Sequence, residues 1–118
     1  MEKEKKFEII ENNEALIIIA GNKLSFFEVR TLKNKLIGYF GRDKKLFIFD
    51  FSDTQWIDSF GMALIAWTVK NSILTDAHVV IVNPQKKIFN LFLETRLAEI
   101  VTFENSVEKA RLKIKRSD

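Results

Sequence analysis

Apolar and polar positions fall into blocks along the chain, and the blocks alternate between a period of two and a period near 3.6. Phe7 to Glu11 reads as a short strand, and Asn12-Asn13 is a turn of the kind that closes a hairpin. Ala15 to Ala20 is a continuous run rich in isoleucine, as expected of a strand buried on both faces, and Gly21-Asn22 ends it. Ser25 suits the cap of a helix whose stripe is Phe26, Val29, Leu32, Leu36 and Phe40, with Gly41 as its stop.

Leu46 to Phe51 is a second two-faced strand, with Phe47, Phe49 and Phe51 on one side and Leu46, Ile48 and Asp50 on the other. A helix is predicted from about Phe60 to Leu74, with a main stripe of Met62, Ile65, Ala66, Val69 and Ile73 and a second strip of Leu64 and Trp67. His78 to Val82 forms another central strand. Asn83-Pro84 opens a helix carrying Ile88, Leu91 and Phe92, with Asn as cap and Pro in the first helical position. A short strand near Ile100 to Phe103 precedes a last helix with Val107, Ala110 and Ile114.

The order β-β-α-β-α-β-α-β-α predicts an α/β fold: a mixed, mostly parallel sheet of four to five strands, with an antiparallel hairpin at one edge and right-handed crossovers elsewhere. Ligand chemistry in such sheets gathers at the carboxyl ends of the strands. The loops after Ala20, Phe51 and Val82 therefore share a rim.

Length and composition narrow the function. The 118 residues suit one domain spanning 1–118, with 1–6 expected to be a flexible leader. No cysteine and a single histidine exclude disulfides, thiolate metal sites and multi-histidine metal sites, and no cofactor is expected. No apolar run reaches the ~20 residues of a membrane helix, and Met1 to Lys6 lacks a following signal-peptide core. A cytoplasmic protein without membrane insertion is the expectation. A net charge of +3 is weak support for direct nucleic-acid binding, and the terminal cluster Lys109, Arg111, Lys113, Lys115 and Arg116 suits the solvated end of a helix.

The chemistry concentrates between Trp56 and Trp67 (WIDSFGMALIAW), where the polar turn Asp58-Ser59-Phe60-Gly61 joins a strand to an apolar helix. Unpaired amides and a positive helix end meet a hydroxyl there. Either Asp58 or Ser59 serves as the cap, and Ser59 is also placed to accept a phosphate. Gly61 costs ~1 kcal/mol inside a helix, which points to close approach of another chain to the backbone. Hydrolysis is disfavoured because His78 begins its strand, ~17 Å from Ser59 at the opposite rim. There is no G-x-S-x-G elbow and no phosphate-binding glycine loop. Asp50 resembles the phosphoacceptor of a receiver domain. The acidic pair that would hold Mg²⁺ is missing from Gly21-Asn22-Lys23, and no lysine ends the last strand, so Asp50 is read as ordering its turn.

Phe47-Ile-Phe-Asp50-Phe-Ser followed by Asp58-Ser59-Phe60-Gly61-Met62 resembles the STAS domain, in particular the anti-sigma-factor antagonist family, over about Phe7 to Ile114. The resemblance implies a non-enzymatic partner switch. Unphosphorylated Ser59 would allow binding to an anti-sigma factor that is a serine kinase, phosphorylation of Ser59 would release it, and a phosphatase would reset it. Asp58, Ser59, Phe60, Gly61, Met62, Ser25 and Leu64 are the expected partner-binding residues of a monomer or weak dimer; Leu64 and Trp67 are candidates to extend the docking face, with burial against a neighbouring helix the expected fate of Trp67. The sequence departs from the family pattern at Phe60, usually a second hydroxyl residue, at Ser25, commonly aspartate, and at Arg96, often glycine. The alternative is an unphosphorylated STAS interaction module of a transporter or sensory complex, which the bulk of Phe60 favours.

Overall fold

Both faces of Leu46–Asp50 (β4) are apolar, and the chain places this strand at the centre of its sheet. In the computed structural model, which describes residues 5–113, β4 lies between Ala15–Ile19 (β2) and His78–Val82 (β6), both parallel to it. Glu8–Asn12 (β1) pairs antiparallel with β2 at one edge, and Thr102–Glu104 (β7) pairs parallel with β6 at the other. The five-stranded order is β1-β2-β4-β6-β7, the mixed, mostly parallel α/β sheet expected from the alternation of elements.

One sheet face, with Leu16, Ile18, Phe47, Phe49 and Ile81, is covered by the helices Phe26–Ile37 (α1), Ser59–Leu74 (α2) and Lys86–Glu94 (α3). The other, with Ile17, Leu46, Ile48, Val80 and Val82, receives Val107–Arg111 (α4) through Ala110 and Val107. At the amino-end rim, the buried Lys44 amine donates to the Asn13 carbonyl (2.7 Å) and meets the Glu11 carboxylate at 2.7 Å. Asn13 holds a left-handed φ of 53°, so this lysine fastens the hairpin turn.

Several boundaries differ from the sequence expectation. A second, two-stranded ribbon joins Lys23–Leu24 (β3) to Trp56–Ile57 (β5), each too short to show a period. α1 ends at Ile37 with Gly38 as its cap, not at Gly41, because a bond from Tyr39 N–H to the Leu36 carbonyl (2.9 Å) tightens the last turn. Phe40 still reaches the core, with its ring centroid 5.0 Å from that of Phe47. In α2 the buried positions are Gly61, Met62, Leu64, Ile65, Thr68, Val69 and Ser72, whereas Ile73 is exposed. The polar pair enters the core because each hydroxyl bonds back to the helix, Thr68 to the Leu64 carbonyl and Ser72 to the Val69 carbonyl, both at 2.8 Å.

Asn83 takes a left-handed φ of 53°, so Pro84 precedes α3 and Gln85 is its cap. Ile100 closes a 3-10 turn (Leu97–Glu99) and lies outside β7. Arg96, where glycine was the family expectation, ends α3 with φ 67°. Ile114, Lys115 and Arg116 lie outside the described residues, as do Met1 to Glu4 of the expected flexible leader. Lys5 is tied to the carboxyl-end rim: its N–H donates to Asn22 Oδ1, its carbonyl accepts from Asn22 N–H (3.0 Å), and its amine meets Asp53 at 3.2 Å.

Candidate functional site

The β3–β5 ribbon fixes the site. The Asn22 carbonyl accepts from the N–H groups of Gln55 (2.7 Å) and Trp56 (3.3 Å), and the Leu24 carbonyl accepts from Asp58 N–H (3.3 Å). Parallel pairing brings the ends of the two strands together, so α1 and α2 start side by side. Asp58 sits between these starts. Its Oδ1 accepts from Gly61 N–H at 3.0 Å, capping α2, and its Oδ2 accepts from Phe26 N–H at 3.1 Å in the first turn of α1. One carboxylate thereby meets the positive ends of two helices.

The cap therefore belongs to Asp58, and Ser59 is the first residue of α2. Ser59 is exposed, and among the described residues its hydroxyl has no hydrogen-bond partner. A serine that capped its helix would have its oxygen committed to an amide; this one is open to a reaction partner. Ser25 caps α1, and both its N–H and its hydroxyl donate to Glu28 Oε1 (3.0 and 2.6 Å). Burial pushes the Glu28 carboxyl up, but the Ser25 bonds and the charge of Lys23 together hold it below the ordinary glutamate value.

Phe60 is half-exposed and packs edge-on against Phe26, with ring centroids 5.0 Å apart and planes at 70°. Phe26, expected in the buried stripe of α1, is 40% exposed, and Phe27 beside it is 74% exposed. Trp56 on β5 is 62% exposed. Isolated apolar side chains at a surface carry little meaning, but Phe26, Phe27 and Phe60 are in edge contact at 5.5 and 5.0 Å and form a patch of the kind that marks an interaction surface. Sequence reasoning missed Phe27. The signal was the Phe26-Phe27 doublet, since adjacent helical positions point ~100° apart and the two cannot share one buried stripe.

Three expected docking residues are placed differently. Gly61 is buried, and a Cβ there would lie 2.4 Å from the Leu24 carbonyl oxygen and 2.9 Å from Ile57 Cγ2. The close backbone approach that glycine permits is thus made by the chain's own β3, not by a partner. Met62 and Leu64 are 8% and 2% exposed and belong to the main core, because the same contact sets the rotation of α2 and turns them inward. Trp67 is half-buried against Phe40, with centroids 5.3 Å apart.

Asp50 Oδ1 accepts from Ser52 N–H (2.9 Å) and the Ser52 hydroxyl (2.6 Å), so it orders the loop after β4. His78 is exposed and opens β6 in register with Leu46, at the strand ends opposite Asp50. Among the described residues no group of three or more metal-ligating side chains occurs, and no helix is long and apolar enough to cross a membrane.

A family model described as the STAS domain matches residues 6–110. No curated protein matches the chain by sequence. Among solved structures, the anti-sigma factor antagonist SpoIIAA in its unphosphorylated form superposes with a TM-score of 0.77 at 15% identity, covering 96% of this chain and all of that one. The Bacillus protein in its phosphorylated form gives 0.75 at 17% identity, with coverage of 96% and 100%. The Thermotoga maritima protein TM1081 gives 0.81 at 19% identity, covering 95% of each chain. The murine anion transporter Slc26a9 gives 0.73 at 17% identity over 91% of this chain and 18% of its own. At these identities the likeness is one of fold.

Proposed function

The chain belongs to the STAS domain family, and from that premise we propose that it is an anti-sigma-factor-antagonist-type partner switch whose state is set by phosphate on Ser59. The observation that carries this reading is the division of labour at the turn. Asp58 satisfies the helix ends, which leaves the Ser59 hydroxyl exposed, unpartnered among the described residues and next in sequence to the exposed Phe60, which packs on Phe26. A hydroxyl with no neighbouring base is a substrate for a kinase, not a nucleophile in its own right.

Unphosphorylated, the turn docks a protein partner, an anti-sigma factor that is itself a serine kinase. A phosphate adds about −1.5 to −2 charge. Asp58 already occupies the Gly61 and Phe26 amides, so the phosphate stays outward and hydrated, and docking would strip that water beneath Phe26 and Phe60. A like-charge pair at ~5 Å in an effective dielectric of ~20 costs about 3 kcal/mol, or about 100-fold in affinity. A phosphatase restores the docking form. The chain acts by binding and needs no cofactor.

The test is mass spectrometry of the protein from its native cells, joined to binding of the purified kinase partner by Ser59→Asp and Ser59→Ala. Phosphate on Ser59 and loss of binding only in Ser59→Asp support the switch; equal binding by the two variants sinks it. The fold likeness to the transporter Slc26a9, together with the bulk of Phe60 beside Ser59, supports a second reading as an unphosphorylated interaction module. Absence of phosphate from Ser59 in growing and stressed cells selects that second reading.

A further inference from the structure

The aromatic patch is one end of a longer feature. On α1, Phe26, Arg30, Lys33 and Ile37 recur at i, i+4, i+7 and i+11, one line of a 3.6-residue helix, and all four are exposed. On α2, Ser59, Ala63, Lys70 and Leu74 form the matching exposed line. The two helices run parallel and in step. Phe26 meets Phe60 at 5.0 Å, and one heptad later the Lys33 amine lies over the Trp67 ring at 5.0 Å from its centroid. The two lines run side by side for about 16 Å, three turns of helix. Large apolar side chains are exposed towards both ends, Phe26 and Phe60 at one, Ile37 and Leu74 at the other.

Acids are few along this face, and those present are engaged. α2 contains no acidic residue and one lysine. The single acid of α1, Glu28, is turned onto Ser25, and the Asp58 carboxylate is spent on two amides. The cations of this face are Arg30, 6.0 Å from the Phe26 ring centroid, Lys33, over Trp67, and Lys70; among the described residues none of the three pairs with a carboxylate.

We propose that the exposed α1–α2 face docks an acidic amphipathic helix of the protein partner, with apolar anchors at its two ends and carboxylates between them. The inference rests on the partner-switch reading and names the chemistry of that partner. A polyanion such as nucleic acid would satisfy the cations but leave the apolar ends uncovered, whereas an amphipathic helix covers both. The same face gives phosphorylation its sign: Ser59 lies on the α2 line, so phosphate enters the footprint and repels the same carboxylates that Arg30, Lys33 and Lys70 attract.

The test uses the full chain and three fluorescent probes: a synthetic helical peptide of about 15 residues with leucines at both ends and glutamates between, the same peptide with lysines for glutamates, and single-stranded oligo-dT. Fluorescence anisotropy at low salt reads binding. The glutamate peptide is expected to bind about tenfold or more tighter than the lysine peptide and to weaken as salt rises. Arg30→Glu with Lys33→Glu should reverse that preference, as should Lys70→Glu with Arg30→Glu; circular dichroism checks that these exposed substitutions leave the fold intact. Ser59→Asp should weaken the glutamate peptide and not the lysine peptide. Equal binding of the two peptides, no binding of either, tighter binding of oligo-dT, or a preference untouched by both charge reversals would overturn the proposal. Phosphate on Ser59 in cells together with any of those results leaves the switch standing and removes only the docking face. A discriminating face with Ser59 never modified does the opposite.

Discussion

The backbone N–H of Phe26 donates to Asp58 Oδ2 at 3.1 Å, across 32 residues of sequence, while Gly61 N–H holds the other oxygen at 3.0 Å. Asp58 is thus a bolt between two helices as well as a cap on one. Removing an N-cap costs ~1 kcal/mol, and the second charge-assisted bond adds ~1.5 kcal/mol. Asp58→Ala is expected to lose about 2–3 kcal/mol in urea unfolding. Asp58→Asn, which keeps one carbonyl acceptor, should lose about half as much.

Gly61→Ala tests who approaches the glycine. In an ordinary helix interior the change gains up to ~1 kcal/mol. Here the new methyl would sit 2.4 Å from the Leu24 carbonyl, a backbone atom that cannot swing away. A net loss of about 1–3 kcal/mol is expected, the range for overpacking. Thermal melting in the absence of any partner checks it. Unchanged or raised stability would return Gly61 to the role of a partner contact.

Acid should unfasten two corners of the fold. A hydrogen bond from Lys44 holds Glu11 below its ordinary value, with burial opposing it less strongly, and the Ser25 bonds do the same for Glu28 against a larger burial effect. A carboxyl depressed in the folded state stabilises the fold above its unfolded pKa, ~4.3 for glutamate, and that contribution disappears as pH falls through the lower folded value. Urea midpoints should therefore hold from neutral pH to about 5 and fall below about 4.3. Glu11→Gln and Glu28→Gln should each flatten the fall; a wild-type slope in both variants would contradict the assignment.

Arg96 ends α3 in the left-handed region at φ 67°, and its side chain forms an exposed ion pair with Glu99. A non-glycine residue there costs roughly 1–2 kcal/mol, and an exposed pair returns ~0–1 kcal/mol. Arg96→Gly is expected to raise stability by up to about 1 kcal/mol, measured as a shift of the urea midpoint at constant slope.

The central strands were legible because β2, β4 and β6 carry their own signal: apolar residues on both faces of β4 leave it no position but the middle of a sheet. The turn at Asp58-Ser59 was legible for the same local reason. What escaped was set by contacts distant in sequence. Lys23–Leu24 and Trp56–Ile57 are strands only because they meet each other, and two residues hold no period. Of the stripe predicted for α2, Met62, Ile65 and Val69 are buried as expected, whereas Ile73 is exposed and the polar Thr68 and Ser72 are buried in its place. Hydrophobic pattern alone does not separate a buried leucine from a docking one.

Leu64 and Phe27 make that distinction measurable. Leu64 is 2% exposed in the main core, and Phe27 is 74% exposed beside the turn. Leu64→Ala is expected to cost about 2–5 kcal/mol of stability, the range for a buried leucine whose cavity closes only in part. Once the variant is folded, at low temperature or with a stabilising osmolyte, partner affinity should be close to wild type. Phe27→Ala buries no cavity and should change stability by no more than about 0.5 kcal/mol. An exposed aromatic anchor lost from an interface typically costs more than ~1 kcal/mol, so partner affinity should drop by about tenfold. Urea unfolding and titration calorimetry on the same two variants give both quantities. If Leu64→Ala weakens binding beyond its effect on folding while Phe27→Ala binds normally, the docking face lies along the core side of α2, and the aromatic patch around Ser59 is not where the partner sits.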